Sequence, residues 1–307
     1  MYSYLWYFVI YAFLGWCLEV VYAAVSTGEF VNRGFLNGPI CPIYGFGVLA
    51  VTGILTPVKE NLLLLYFGSV FLTSVLEFIT GWILEKSFNS RWWDYSDCPF
   101  NIRGYICLKF SLMWGTACLI IINIIHPMTE RLVSHLNIDA GQIVLGILLA
   151  VIFVDVLATV QSVLKLNKQL RQINDMAAKI RSVSDELAER ISEESLALVE
   201  ISGELKTNFR EQRDAVSDII EEKLSLVGES IEEKISSVED SIEGRKKAVA
   251  HKIEDMKSNI LQMNEKKDEI LASSFFGQKR LLHAFPDIKS RRYKEALEDL
   301  KEKILRK

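Results

Sequence analysis

Apolar positions fill the chain in two different ways, and the change comes near Lys165. Up to that residue they run together in long stretches. Beyond it they stand singly, at fixed intervals, among charged side chains. A helix needs about 20 mostly apolar residues to cross a bilayer. Five stretches approach that length, at roughly 3–25, 40–57, 62–84, 105–125 and 143–164. The second is broken by Pro42, Gly45, Gly47 and Gly53. Membrane helices accept such residues where neighbouring helices satisfy the freed backbone groups. Tyr2, Tyr4, Trp6 and Tyr7 at one end of the first stretch, and Trp92, Trp93 and Tyr95 after the third, resemble interfacial aromatic belts.

The second region has its own period. From Leu166 to Leu271 there is no proline, and Gly203, Gly228 and Gly244 weaken a helix without ending it. Val163, Leu166, Leu170, Ile173, Ala177 and Ile180 step by alternating three and four, as in a heptad seam. Further on, Leu187, Leu198, Phe209, Ile220, Ile231, Ile242 and Ile253 recur every eleven residues, and so do Leu205, Val216, Val227, Val238, Val249, Ile260 and Leu271. An eleven-residue repeat drives a right-handed or nearly straight supercoil. So narrow a stripe on so long a helix needs a partner. Self-association, a different coiled-coil protein and folding back as a hairpin all supply one. With no strong turn signal midway, parallel self-association through residues 187–271 is expected.

The predicted fold is therefore an all-α membrane protein with about five transmembrane helices, followed by a long cytoplasmic coiled-coil helix. Residues 1–165 form the polytopic membrane domain, with hairpins at about 3–57 and 62–125 and a fifth span at 143–164. Residues 166–271 form the rod, and 272–307 a short amphipathic C-terminal segment broken at Pro286. In that segment Phe275, Phe276, Leu281, Leu282 and Phe285 cluster beside Lys279, Arg280, Arg291 and Arg292. Such a cluster suits docking on membrane or protein, or packing against the end of the coil.

Charge sharpens the division. Of 35 Lys/Arg and 39 Asp/Glu, only 8 and 10 lie in residues 1–165. Neither region is strongly basic, so nothing points to nucleic acid. The N-terminus has no basic leader and Glu19 interrupts its apolar run, which reads as a retained anchor. Lys86, Arg91, Arg103 and Arg33 sit in alternate loops, and Lys165, Lys168 and Arg171 follow the last span. The positive-inside rule then puts the rod in the cytoplasm and the N-terminus outside a cell membrane. All five cysteines, Cys17, Cys41, Cys98, Cys107 and Cys118, lie in the apolar region without metal-ligand spacing, and read as buried, inert thiols.

A repeat emerges inside the membrane domain. Residues 15–19 read GWCLE and residues 81–85 read GWILE. Aligning Arg33-Gly34-Phe35-Leu36 with Arg103-Gly104-Tyr105-Ile106 brings Tyr44-Gly45 onto Trp114-Gly115 without a gap. The copies begin two spans apart, which predicts parallel hairpins related by an axis along the membrane normal. Glu19 and Glu85 then form a symmetric pair, with Arg33 and Arg103 as counter-charges.

Ionisable groups inside a bilayer face the bundle interior or water. Glu77, Gly81 and Glu85 share one stripe of the third helix, and Ala12, Gly15, Glu19, Tyr22 and Ala23 form a small, polar face on the first. These carboxylates either pin loops to helix ends or line a polar cavity for a substrate or proton. Glu77 lies deepest. Asp155 is a lone acid in the fifth span beside Thr159 and Ser162. Asn37, Asp94, Asp97 and Asn101 either line a site at the loops or serve as turn residues.

The stretches GWCLEVVY, RGFLNGPICPIYGFG, WDYSDCPFNIRGYICLKFS and RLLHAFPDIKS resemble a family of bacterial membrane proteins, the CmpB-like, type IV group of ABC-transporter permeases. The resemblance implies transport and brings no catalytic residues with it. The sequence holds no phosphate-binding loop of the GxxxxGKS or GxxxxGKT kind, so ATP hydrolysis would come from a separate ATPase subunit. No nucleophile–base pair or cofactor motif suggests an enzyme. The expectation is a permease-like subunit. The alternative is a non-transporting membrane scaffold or sensor built on the rod.

Overall fold

A computed structural model describes residues 1–217, 224–273 and 276–305. They fall into two compact units: Met1–Asn174 with Leu271–Lys307, and Asp175–Ile270.

The first unit begins with α1 (Tyr2–Thr27), an apolar helix that stops at Gly28, whose φ of 77° is left-handed and whose N–H donates to Ala24 O at 3.0 Å. A loop returns the chain to α2 (Pro42–Leu55), which opens on a proline that already has helical φ and needs no N–H. A short turn through Val58 leads to α3 (Leu62–Phe88), capped at its start by the Asn61 side chain accepting from Leu64 N–H. After a second loop come α4 (Leu108–Ile120) and α5 (His126–Ser134), joined by a wide helical turn through Ile121–Ile125. Pro127 explains the widening. Its ring would clash with the carbonyl four residues earlier in a regular α-helix. The next helix, α6 (Ile138–Ser217), carries the last apolar stretch and runs on into the charged region.

Among the described residues four helices are long and apolar enough to cross a membrane: Tyr2–Thr27, Leu62–Phe88, Leu108–Ser134 and the start of α6. The second predicted span is instead a shorter apolar helix, Pro42–Val58, extending roughly 25 Å against a hydrocarbon core of about 30 Å. Exposed Phe13, Leu63, Phe67, Phe71, Phe153 and Val154 give these helices apolar outer faces suited to lipid.

Helices α1 and α2 pack as one hairpin, α3 and α4 as another, and α2 joins α3. Val51, Leu55, Leu65, Cys118 and Ile122 form a core between the hairpins at the end away from the long loops. Tyr11 ties α1 to α5 there, donating to Thr129 Oγ1 at 3.3 Å.

The opposite end holds both long loops and the C-terminal segment. That segment comprises α8 (Phe276–Ala284), strand β4 (Lys289–Ser290) and α9 (Lys294–Leu305). Strand β4 pairs antiparallel with β1 (Ser90–Arg91), with Ser90 opposite Ser290. In the second loop β2 (Asn101–Ile102) pairs with β3 (Ile106–Cys107). Phe285 meets Trp92 edge-on at 5.1 Å, and Trp92 meets Phe35 at 5.0 Å, so both loops share one aromatic cluster with the C-terminal segment. Leu281, Leu282, Ile288, Leu297 and Leu300 are buried. The segment thus docks on its own chain's loops. Phe275 lies outside the described residues, as do the side chain of Phe276 and residues 306–307.

In α6, Val163, Leu166, Leu170 and Ile173 are buried within this single chain, so the first heptad positions need no second copy to cover them.

The second unit holds the rest of α6 and most of α7 (Leu224–Ala272). Arg190, Glu193, Glu194 and Ala197 of α6 line a groove together with Arg245, Val249, Ile253 and Met256 of α7. Along this stretch α6 and α7 thus flank one groove. The column side chains Leu198, Leu205, Phe209, Val216, Ile220, Val227, Ile231, Val238 and Ile242 lie outside the described residues.

Candidate functional site

The site is built from α1 outwards. Ala12, Gly15 and Ala23 are buried on one face of that helix. A side chain at Gly15 would run into the ring of Tyr44. The glycine thus lets Tyr44 of α2 lie flat on α1, and its hydroxyl reaches one turn further to donate to Glu19 Oε1 at 2.5 Å. Arg33 approaches the same carboxylate more loosely, at 3.8 Å, with its guanidinium over the Tyr22 ring.

Helix α3 repeats the device with other residues. Gly81 makes room for Tyr105 and Trp93, and Tyr105 donates its hydroxyl to Glu85 Oε2 at 2.9 Å. The cation at Glu85 is Arg91, not the expected Arg103. Glu85 is held by Arg91 Nε at 2.9 Å. Arg103 is exposed at φ 53°, with no ion pair among the described residues. It occupies the turn between β2 and β3, where its backbone, not its charge, sets its direction.

Glu77 lies on α3, about two turns before Glu85. Tyr95, from the second loop, donates to Glu77 Oε1 at 3.3 Å and stacks on Phe110 of α4 at 4.8 Å. Glu77 Oε2 is buried without a hydrogen-bond partner among the described residues. Burial holds the Tyr95 phenol well above its ordinary range, reinforced by the charge and hydrogen bond of Glu77 and then by the charge of Glu19. Tyr95 is therefore a donor at all physiological pH values, lying within the field of carboxylates from both hairpins. Tyr44 meets Trp114 edge-on at 5.6 Å, closing the cluster on the α4 side.

The remaining candidates are anchors. Asp155 on α6 accepts from Asn37 N–H at 3.1 Å, Asn37 Nδ2 at 2.8 Å and Gly38 N–H at 2.7 Å. This carboxylate pins the first loop, whose Gly34 and Phe35 carbonyls accept from the Arg280 guanidinium at 2.8 Å each. Asn101 is a turn residue, its amide donating to Ser96 O and Cys98 O while its carbonyl accepts from Gly104 N–H. Asp94 is a hub, bound by Lys289 Nζ at 2.7 Å, Arg91 Nη1 at 3.1 Å and both Ser96 N–H and Oγ–H. Asp97 belongs to the same turn, and Cys98 N–H donates to Tyr95 O at 2.9 Å. No metal-holding group of His, Cys, Asp or Glu occurs among the described residues.

The family described as Putative ABC-transporter type IV matches residues 6–160. The chain belongs to this family. No solved structure matches it. The type IV match takes in Glu19, Tyr44, Glu77, Glu85, Tyr95 and Tyr105, the whole carboxylate–tyrosine cluster. It stops short of Arg280 and Lys289, which reach the type IV region from the C-terminal segment.

In the sequence Tyr44 and Tyr105 stand out only as repeat positions, Tyr95 only as a belt aromatic and Arg91 only as a loop charge, none of them as a partner of a carboxylate. A tyrosine beside apolar residues has the same local signature whether it seals a helix pair or donates to a buried carboxylate. Only the glutamates asked for a partner.

Proposed function

We propose that the chain is the membrane-embedded, permease-like subunit of a transport system, served by a separate ATPase subunit. The observation that carries this reading is Glu77, a carboxylate on the apolar helix α3 of a transporter-related family, one oxygen of which is buried without a hydrogen-bond partner among the described residues. The hairpins are taken as parallel copies, with α1 and α3 in equivalent places, the long loops and the rod in the cytoplasm and the N-terminus outside. Glu19 and Glu85 brace the two copies, each through a tyrosine and an arginine. Glu77 is the working carboxylate. The substrate class is left to experiment.

Crosslinking in native membranes followed by affinity purification should recover an ATPase with the chain. Glu77→Gln should lower ATP hydrolysis by that assembly at least tenfold without changing its recovery or thermal stability. Unchanged hydrolysis would sink the role of Glu77, and absence of any ATPase would sink the transport reading.

A second reading is supported by the separate unit Asp175–Ile270. In it the protein is a non-transporting scaffold whose hairpin rod binds a partner, or a second copy, through exposed Ile191, Leu196 and Val199. Deleting residues 187–271 would then abolish recovery of every crosslinked protein, while Glu77→Gln would change nothing.

A further inference from the structure

The pairing of β4 with β1 places an arginine pair at a defined depth. Helix α3 crosses the membrane region and ends at Phe88, with Asn89 left-handed at φ 51° as its cap. Arg291 N–H donates to Asn89 O at 2.9 Å, directly after the Ser90–Ser290 pair. Arg291 and Arg292 therefore stand level with the last residue of the span. One turn back along α3, Lys86 lies over the exposed ring of Trp82, its ammonium 4.9 Å from the ring centroid. A tryptophan carrying a lysine at a helix end is the arrangement found at headgroup depth.

The charges at this level are unbalanced. Glu85 and Asp94, the acids on either side of β1, are already held by Arg91 and Lys289. Arg291 and Arg292 are exposed, and no ion pair among the described residues engages either guanidinium. Asp287 and Glu295 flank the run Lys289, Ser290, Arg291, Arg292, Tyr293, Lys294, which stays positive overall. The β-pairing and the Ser290 side chain, which accepts from Tyr293 N–H at 3.1 Å, fix the backbone on which both arginines are mounted. A guanidinium binds phosphate through two parallel hydrogen bonds, and a pre-set backbone lowers the entropy lost in forming them.

We propose that Arg291 and Arg292, together with Lys86, form a binding site for the headgroup phosphate of an anionic phospholipid. The site ties the C-terminal segment to the bilayer surface beside α3. Its ligand is a lipid, not free phosphate, because Trp82 and the apolar face of α3 lie immediately below for the acyl chains.

The test is native mass spectrometry of the full chain released from detergent, titrated with dioleoylphosphatidylglycerol or dioleoylphosphatidylcholine. The first phosphatidylglycerol should bind at least tenfold more tightly than phosphatidylcholine. R291Q/R292Q should remove about tenfold of that affinity and leave phosphatidylcholine binding unchanged. The charge-preserving R291K/R292K should keep most of it, and R292Q alone covers the event that the double variant does not fold. R190Q/K247Q, which removes two positive charges from the other unit, should have no effect. Equal retention of both lipids, an equal loss in R190Q/K247Q, or displacement of phosphatidylglycerol by millimolar inorganic phosphate would each overturn the proposal.

Discussion

Asp94 is one of the ties between the C-terminal segment and the second loop. Burial alone would raise its pKa, but the Lys289 ammonium, the Ser96 hydroxyl and N–H, and the Arg91 guanidinium hold it well below the usual carboxylate range. The two partners differ in worth. Lys289 is more than half exposed, so K289Q should cost no more than about 1 kcal/mol in thermal unfolding. Asp94 is almost enclosed and serves four donors, so D94N, which leaves them poorly matched, should cost about 1–3 kcal/mol. The pH dependence follows from the sign of the shift. A carboxyl depressed in the folded state stabilises fully above its unfolded pKa of about 3.9 and loses that contribution as pH falls through the lower folded value. Protection of the C-terminal segment against proteolysis should be flat from about pH 5 to 8 and weaken only below about 4. Weakening between pH 6 and 5 would show that another group holds the segment.

At the scale of helices, the glycines separate packing from propensity. Gly15 faces the Tyr44 ring, whereas a side chain at Gly47, on the next helix, would meet open space. G15A should destabilise by about 1–3 kcal/mol through overpacking and should lengthen the Tyr44–Glu19 hydrogen bond. G47A should be neutral or stabilising by up to about 1 kcal/mol, since alanine is the better helix former. Thermal unfolding of both variants in the same detergent makes the comparison. The small-residue face holding Gly15 was legible in the sequence because side-chain size and a helical period are local signals. So were the long apolar helices, and the interruption of the second span by Pro42 and three glycines foreshadowed its shorter length. The partners of the carboxylates were not legible. Arg33 and Arg103 share a motif, yet only Arg33 approaches a glutamate, because the β2–β3 turn directs Arg103 outwards. Asp155 and Asn37 are 118 residues apart, and two-residue strands such as Ser90–Arg91 and Lys289–Ser290 leave no periodic trace. Contacts of that kind are set by tertiary placement, which a local pattern cannot encode.

The whole molecule combines two units that the chain enters and leaves at Asn174 and Leu271. The membrane unit contains the buried aromatic cluster, both loops and the C-terminal segment, and its β1–β4 pairing, Arg280 bonds and Asp94 hub all lie within that unit. Its stability should therefore not depend on residues 175–270. Replacing them with a flexible Gly/Ser linker of about 12 residues, whose ends separate by roughly 20 Å on average, should leave the membrane unit folded. The chain's 6 tryptophans, Trp6, Trp16, Trp82, Trp92, Trp93 and Trp114, all lie in that unit, so intrinsic fluorescence reports on it alone. The excised protein should keep the wild-type emission maximum and the wild-type protease resistance of the C-terminal segment. A red shift with release of the segment would mean that the rod is needed to bring α8 and β4 back to the loops. With the emission maximum retained, the same protein also separates the two functional readings. ATPase recovery that survives excision places the coupling surface on the membrane unit, and recovery that disappears places it on the rod.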